Sequence, residues 1–72
     1  FIATNFFNAA NEIAVESFIK DEINFTAIFS IVENVTKLSE PGDPKSIEEV
    51  FEYDKLARKY ALNEVTKFSN DR

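Results

Sequence analysis

Neither cysteine nor histidine occurs in these 72 residues, so no disulfide, thiolate site or imidazole-completed zinc site can reinforce the fold. The lack of cysteine is compatible with a reducing compartment. A chain this short buries only about 60% of the surface its unfolded form exposes, and its core has to stand on packing alone. Methionine is absent as well, and the sequence opens on Phe1-Ile2-Ala3; we expect the chain to be a piece of something longer. The single glycine excludes a glycine-rich phosphate loop and a dinucleotide fingerprint. No apolar run approaches the roughly 18 residues of a membrane-spanning helix, and the N-terminus lacks the basic start of a signal peptide, so no membrane partner is expected.

Basic clusters are missing too. Eight Lys and Arg residues are scattered among thirteen Asp and Glu, for a net charge of −5, which leaves no electropositive surface for phosphate and no expected nucleic-acid partner. What is plentiful is phenylalanine. Eight of them carry more aromatic surface than three short helices easily hide from water.

The apolar positions have helical period. At 100° per residue, Phe6, Phe7, Ala10, Ile13, Ala14 and Phe18 share a broad face, opposite Asn5, Asn8, Glu12, Glu16 and Lys20. Val15 and Ile19 fall at or inside the polar side, a second apolar strip that is either loose patterning or the mark of a packing partner beyond this chain. Thr4, Asn5 and Asn8 can each cap the helix start; with Asn8 as cap, its side chain takes the amide of Ala10 or Asn11, Glu12 meets the positive end of the dipole, and Ala9 and Ala10 permit close backbone approach. After the break at residues 20–24, Thr26 is the expected cap of a second helix whose Ile28, Ile31, Val32, Val35 and Leu38 occupy about 120°. Residues 39–44, with the glycine and both prolines, form the one firm loop. Ser46-Ile47-Glu48-Glu49 then reads as a capping box opening a third helix. Positions 47, 50, 54, 57, 61, 65 and 68 keep helical spacing except that 54 is Asp. Asp54 either lies at the rim of one long helix or caps a second short one; we expect the split, because Asp is a strong cap and Leu56, Ala57 and Tyr60 open a rotated face. The expected architecture is all-α, with helices near 6–20, 26–38 and 46–68, the last kinked or split near Asp54.

Little in the chain can carry chemistry. Glu12 and Glu16 lie one turn apart, as in di-metal bundles, but that architecture also uses Glu-x-x-His, so a solvated face is the better reading. Asn24-Phe25-Thr26 and Asn34-Val35-Thr36 match the glycosylation sequon at a length that chance supplies. Hydroxyls such as Ser17, Thr26 and Ser46 have no imidazole base to activate them. Tyr53, Tyr60 and the phenylalanines could stack bases, yet they sit at core spacing in an acidic chain. No catalytic, cofactor-binding or metal-ligating residue is expected.

The run from Phe7 to Phe18, Phe-Asn-Ala-Ala-Asn-Glu-Ile-Ala-Val-Glu-Ser-Phe, resembles the Leu-Asn-Ala-Ala-Asn-Glu-hydrophobic-x-Val-x-x-Phe signature in the C-terminal domain of the 1-deoxy-D-xylulose 5-phosphate reductoisomerase family. Ile23-Asn24-Phe25-Thr26-Ala27-Ile28 is similar to the family's Ile-x-Phe-x-x-Ile, Ser46 to Val50 to the start of its penultimate helix, and Asp54 to Ala61 to its Asp-x-x-Ala-Arg-x-x-Ala. Phe7 stands where Leu is usual and Ser17 where Ala is common. The resemblance implies that residues 1–72 are a C-terminal helical-bundle domain lacking the nucleotide-binding and catalytic domains, with one helix of a four-helix bundle missing just upstream of Phe1. It implies a parent oxidoreductase and isomerase that converts 1-deoxy-D-xylulose 5-phosphate to 2-C-methyl-D-erythritol 4-phosphate with NADPH and a divalent metal (Mg or Mn), in non-mevalonate isoprenoid synthesis, in a bacterial cytoplasm or a plastid. The piece itself would be non-catalytic and hold no cofactor. Its partners would be the middle catalytic domain and the missing helix; with Phe6, Phe7, Val15 and Ile19 left uncovered, the isolated piece would self-associate or be only marginally stable. Without the resemblance, the residues describe a small non-enzymatic helical module that docks onto a partner protein.

Overall fold

The computed structural model of the chain describes residues 1–69. They form three α-helices, α1 (Ile2–Ile19), α2 (Phe25–Thr36) and α3 (Ile47–Ser69), with no strand among the described residues. The bundle is all-α, as the periodicity predicts. The central member is α1, which packs along both other helices, while α2 and α3 meet each other less extensively.

None of the three candidate caps, Thr4, Asn5 and Asn8, caps the helix. α1 starts at Ile2, with Phe1 in the cap position making no side-chain cap bond, and Asn8 lies well inside the helix. Ile2 and Phe6, one turn apart, are both buried, so tertiary packing of the first turns outweighs a local cap. Inside the run that includes Asn8, the alanines face inward: Ala9 and Ala10 are buried together with Ala14. Ala57 and Ala61 on α3 are also fully buried, and side chains this small let helix backbones approach closely. Phe6 fills the space beside them. Its ring centroid lies 6.3 Å from that of Tyr53 and 6.3 Å from that of Tyr60, so this phenylalanine, expected to await an outside partner, is instead core.

α1 ends in a paired turn. The amide of Asp21 donates to Phe18 O and that of Glu22 to Ser17 O, both at 2.9 Å, and Asp21 takes the left-handed conformation (φ 63°) that this 6→1 and 5→2 arrangement requires. Ile23, 1% exposed, then pins the chain before α2. The cap position of α2 is Asn24, not Thr26, and its carbonyl accepts from Ala27 N at 3.1 Å; the buried Ile23 sets the entry point two residues earlier than the hydroxyl suggested. Ile28, Ile31, Val32 and Val35 are buried as their spacing predicts. Leu38 lies past the helix end and is exposed.

α3 opens as expected. Ser46 Oγ accepts from the amide of Glu49 at 3.2 Å, and Glu49 Oε1 reaches back to the amide of Lys45 at 3.2 Å. The split at Asp54 does not occur: α3 runs unbroken from Ile47 to Ser69. Asp54 lies mid-helix, where the following amides are already paired within α3, and its Oδ2 instead accepts from Nε of Arg58, one turn on, at 2.9 Å. Ala57, Ala61 and Val65 form the buried stripe, with Val50, Asp54 and Phe68 at its rim.

Candidate functional site

The polar groups of the bundle tie helices together. Arg58 is the chief of them: besides Asp54, its Nη1 and Nη2 donate to Glu12 Oε1 and Oε2 at 3.4 and 3.2 Å, joining α3 to α1 in a two-pronged pair. The bonds from Glu12 and Asp54 hold Arg58 more firmly protonated than usual. Asn34 Nδ2 on α2 donates to Glu64 Oε1 on α3 at 2.8 Å, and Lys67 Nζ donates to Glu64 Oε2 at 3.0 Å. Burial pushes the Glu64 carboxyl upward, but the bonds from Asn34 and Lys67 outweigh it and leave its pKa below the ordinary value. Glu16 is lowered and Lys20 raised by the 2.9 Å bond between them on the open surface. Desolvation, then the nearby Glu40 and Glu49, raises the Tyr53 phenol, which stays protonated and offers no base.

These engagements decide the candidate ligands. Glu12 faces Arg58 and Glu16 faces Lys20, and among the described residues no three of Asp, Glu, His or Cys come together as a metal would need. Ser39 Oγ, Thr66 Oγ1 and Ser69 Oγ each donate to a helix carbonyl three or four residues back, an ordinary local bond rather than nucleophile activation. Of the two sequon asparagines, Asn34 is held by Glu64 and Asn24 occupies the α2 cap position.

What the bundle does present is an open apolar face. Phe7 is 48% exposed and, with Asn11 of α1 and Ile28, Phe29 and Val32 of α2, lines a groove of about 540 Å³ between the two helices. Phe29 stacks edge-on against Phe25 at 5.4 Å, and Phe25 against Phe18 at 5.6 Å, so one line of exposed aromatic rings borders the groove. Next to it, along the outer side of α1, Asn8, Asn11, Val15 and Ile19 form a shallow depression, with Ile19 75% exposed. Sequence reasoning put Val15 and Ile19 on a second apolar strip and counted Phe7 among the residues awaiting an outside partner, although its helical wheel grouped Phe7 with the inner face. It placed Phe18 on the inner face and assigned no face to Phe25 or Phe29, because a helical wheel gives an angle and not the depth of the neighbouring helix.

Fold and surface together define a small helical bundle, with a core of its own and one uncovered apolar side. Residues 2–60 match the family described as the DXP reductoisomerase C-terminal domain. The chain is 44% identical over 66 residues to the 1-deoxy-D-xylulose 5-phosphate reductoisomerase of Glaesserella parasuis serovar 5 (strain SH0165), covering 92% of this chain and 17% of that protein. It is 52% identical over 54 residues to that of Geobacter sp. (strain M21), covering 75% and 14%, and 46% identical over 57 residues to that of Anaplasma phagocytophilum (strain HZ), covering 79% and 15%. The chain belongs to the DXP reductoisomerase family, in its C-terminal domain, and spans about one-sixth of the length of these relatives. Among the described residues, no helix is long and apolar enough to cross a membrane.

Proposed function

We propose that residues 1–72 are the C-terminal bundle domain of an enzyme that converts 1-deoxy-D-xylulose 5-phosphate to 2-C-methyl-D-erythritol 4-phosphate with NADPH and a divalent metal (Mg or Mn), in the cytoplasm of a bacterium or in a plastid. The observation that carries this is the family match, which takes in most of this chain and only 14 to 17% of each relative. In this reading the domain is structural. It contributes no catalytic, cofactor-binding or metal-ligating side chain, and its open face receives a further bundle helix and the middle domain of the parent enzyme. The engaged carboxylates Glu12 and Glu16 support that assignment.

The test is an assay of the 72-residue chain for NADPH oxidation dependent on 1-deoxy-D-xylulose 5-phosphate and Mg or Mn, with calorimetric titration of NADPH alongside. No turnover and no NADPH binding are expected. Turnover, or NADPH binding in the micromolar range, would refute the structural role. A chimera of the Glaesserella parasuis enzyme carrying this chain in place of its matched stretch should keep its activity; an inactive but folded chimera would count against the parent assignment.

A further inference from the structure

The asparagines of the Asn-Ala-Ala-Asn run cap nothing. Ala9 and Ala10 point into the bundle, whereas Asn8 and Asn11 are exposed mid-helix on the opposite side, and their side chains make no hydrogen bond among the described residues. Asparagine is among the poorer residues for a helix interior, so two of them there do not serve the stability of α1. Their surroundings are mixed: Glu12, Glu16 and Lys20 line one side of the same depression, and apolar residues line the other. At 100° per residue, Phe7, Phe18, Asn11, Val15, Asn8 and Ile19 span an arc of about 120°. Phe7, Phe18 and Ile19 are exposed and Val15 half-buried. α1 therefore carries an uncovered apolar strip beside its polar edge, in addition to the face it buries in the bundle.

We propose that Asn8 and Asn11 are the hydrogen-bonding anchors by which the outer face of α1 docks against the remainder of a reductoisomerase polypeptide. This rests on the parent-domain reading above. The occupant follows from length: about five-sixths of each relative lies outside the stretch this chain matches. Once the apolar residues around them are covered, the two carboxamides lose their water, and each must find both a donor and an acceptor or incur a desolvation penalty. The docking segment therefore carries an apolar stripe for Phe7, Val15 and Ile19, interrupted by polar groups that both give and accept hydrogen bonds. Apolar contact supplies attraction along this face, and the asparagines fix where along α1 the segment sits.

The probe is the Glaesserella parasuis relative lacking its matched C-terminal stretch, titrated calorimetrically with the 72-residue chain. The unmodified chain is expected to bind. Asn8→Ala/Asn11→Ala should weaken binding about tenfold or more, two interfacial hydrogen bonds being lost. Both changes favour helix, so the variant keeps its fold, which circular dichroism checks. Asn8→Leu/Asn11→Leu keeps the side-chain size and adds apolar surface: tighter binding by this variant would overturn the proposal, and weaker binding supports it. Lys55→Ala, an exposed change on α3, should bind as the unmodified chain does. An effect under about twofold for the alanine pair refutes the anchors alone, whereas no binding by the unmodified chain refutes the parent-domain reading itself. Dimerisation in analytical ultracentrifugation that the alanine pair abolishes would make a second copy of the chain the occupant and overturn the proposal.

Discussion

Phe6 and Phe7 are neighbours in sequence, about 100° apart on α1, and they should respond to truncation in very different ways. Phe6 is 1% exposed and wedged between the rings of Tyr53 and Tyr60. Replacing it with alanine removes a fully buried ring and leaves a cavity that the surrounding helices cannot close, a change that costs about 3 to 5 kcal/mol. A domain of this length has a total stability of roughly 4 to 11 kcal/mol, so Phe6→Ala removes between a third and all of it. Phe7 is 48% exposed. Full burial of such a ring is worth about 1.5 to 3 kcal/mol, and half of that makes Phe7→Ala a loss of roughly 1 kcal/mol. Urea titration followed by circular dichroism should show Phe7→Ala melting cooperatively at a slightly lower midpoint. Phe6→Ala should lose its native baseline or its transition. Equal losses, or a larger one for Phe7, would mean that α1 is turned by one residue and that the inner face described above is the wrong one.

Asp54→Ala tests the continuity of α3. As one member of an i,i+4 pair with Arg58 it should cost about 0.3 to 0.5 kcal/mol in the same titration, whereas the loss of about 1 kcal/mol typical of a helix cap would restore the split. Glu64 sets a pH dependence. Its pKa is lower folded than unfolded, so its contribution is complete above the ordinary glutamate value of about 4.3 and is lost as pH falls through the lowered folded value. Melting temperature should decline across that acidic window, and less steeply in Glu64→Gln; identical slopes would remove Asn34 and Lys67 as the cause.

The period of the apolar residues was enough to read three helices, and on α2 it was enough to read the core, since Ile28, Ile31, Val32 and Val35 are all buried. Ser46 and Glu49 marked the start of α3 correctly because a capping box is local chemistry with its partners within four residues. The failures arise where a distant residue decides. Asp54 has the character of a cap until Arg58 occupies it, and Arg58 is held in turn by Glu12 from another helix. Asn8 has the same character, until the buried Ile2 and Phe6 carry α1 back past it. The line from Phe18 through Phe25 to Phe29 was not legible for a related reason: whether a ring at the edge of a wheel is covered depends on how near the next helix lies. For the candidate site, the sequence singled out the Asn-Ala-Ala-Asn run as unusual but could not tell its inner residues from its outer ones before the start of α1 was known.

That run gives α1 three interfaces. Its alanines let it lie close within the bundle, Phe6 reaches the tyrosines of α3, and Phe7, Val15 and Ile19 face outward. Stability and docking are thereby written on the same helix. A partner that binds only the folded bundle stabilises it by mass action, about 2.7 kcal/mol when present at a hundred times its dissociation constant, which is comparable to a large share of what so small a core supplies. The linkage runs both ways. A core substitution that lowers the folded population weakens docking without touching the outer face, whereas a fully exposed outer-face substitution lowers the stability of the assembled protein more than that of the free bundle. Core and docking residues can therefore be told apart by where their loss is felt: Phe6 in the free chain and in the assembly alike, and, on the proposed docking, Asn8 and Asn11 in the assembly alone.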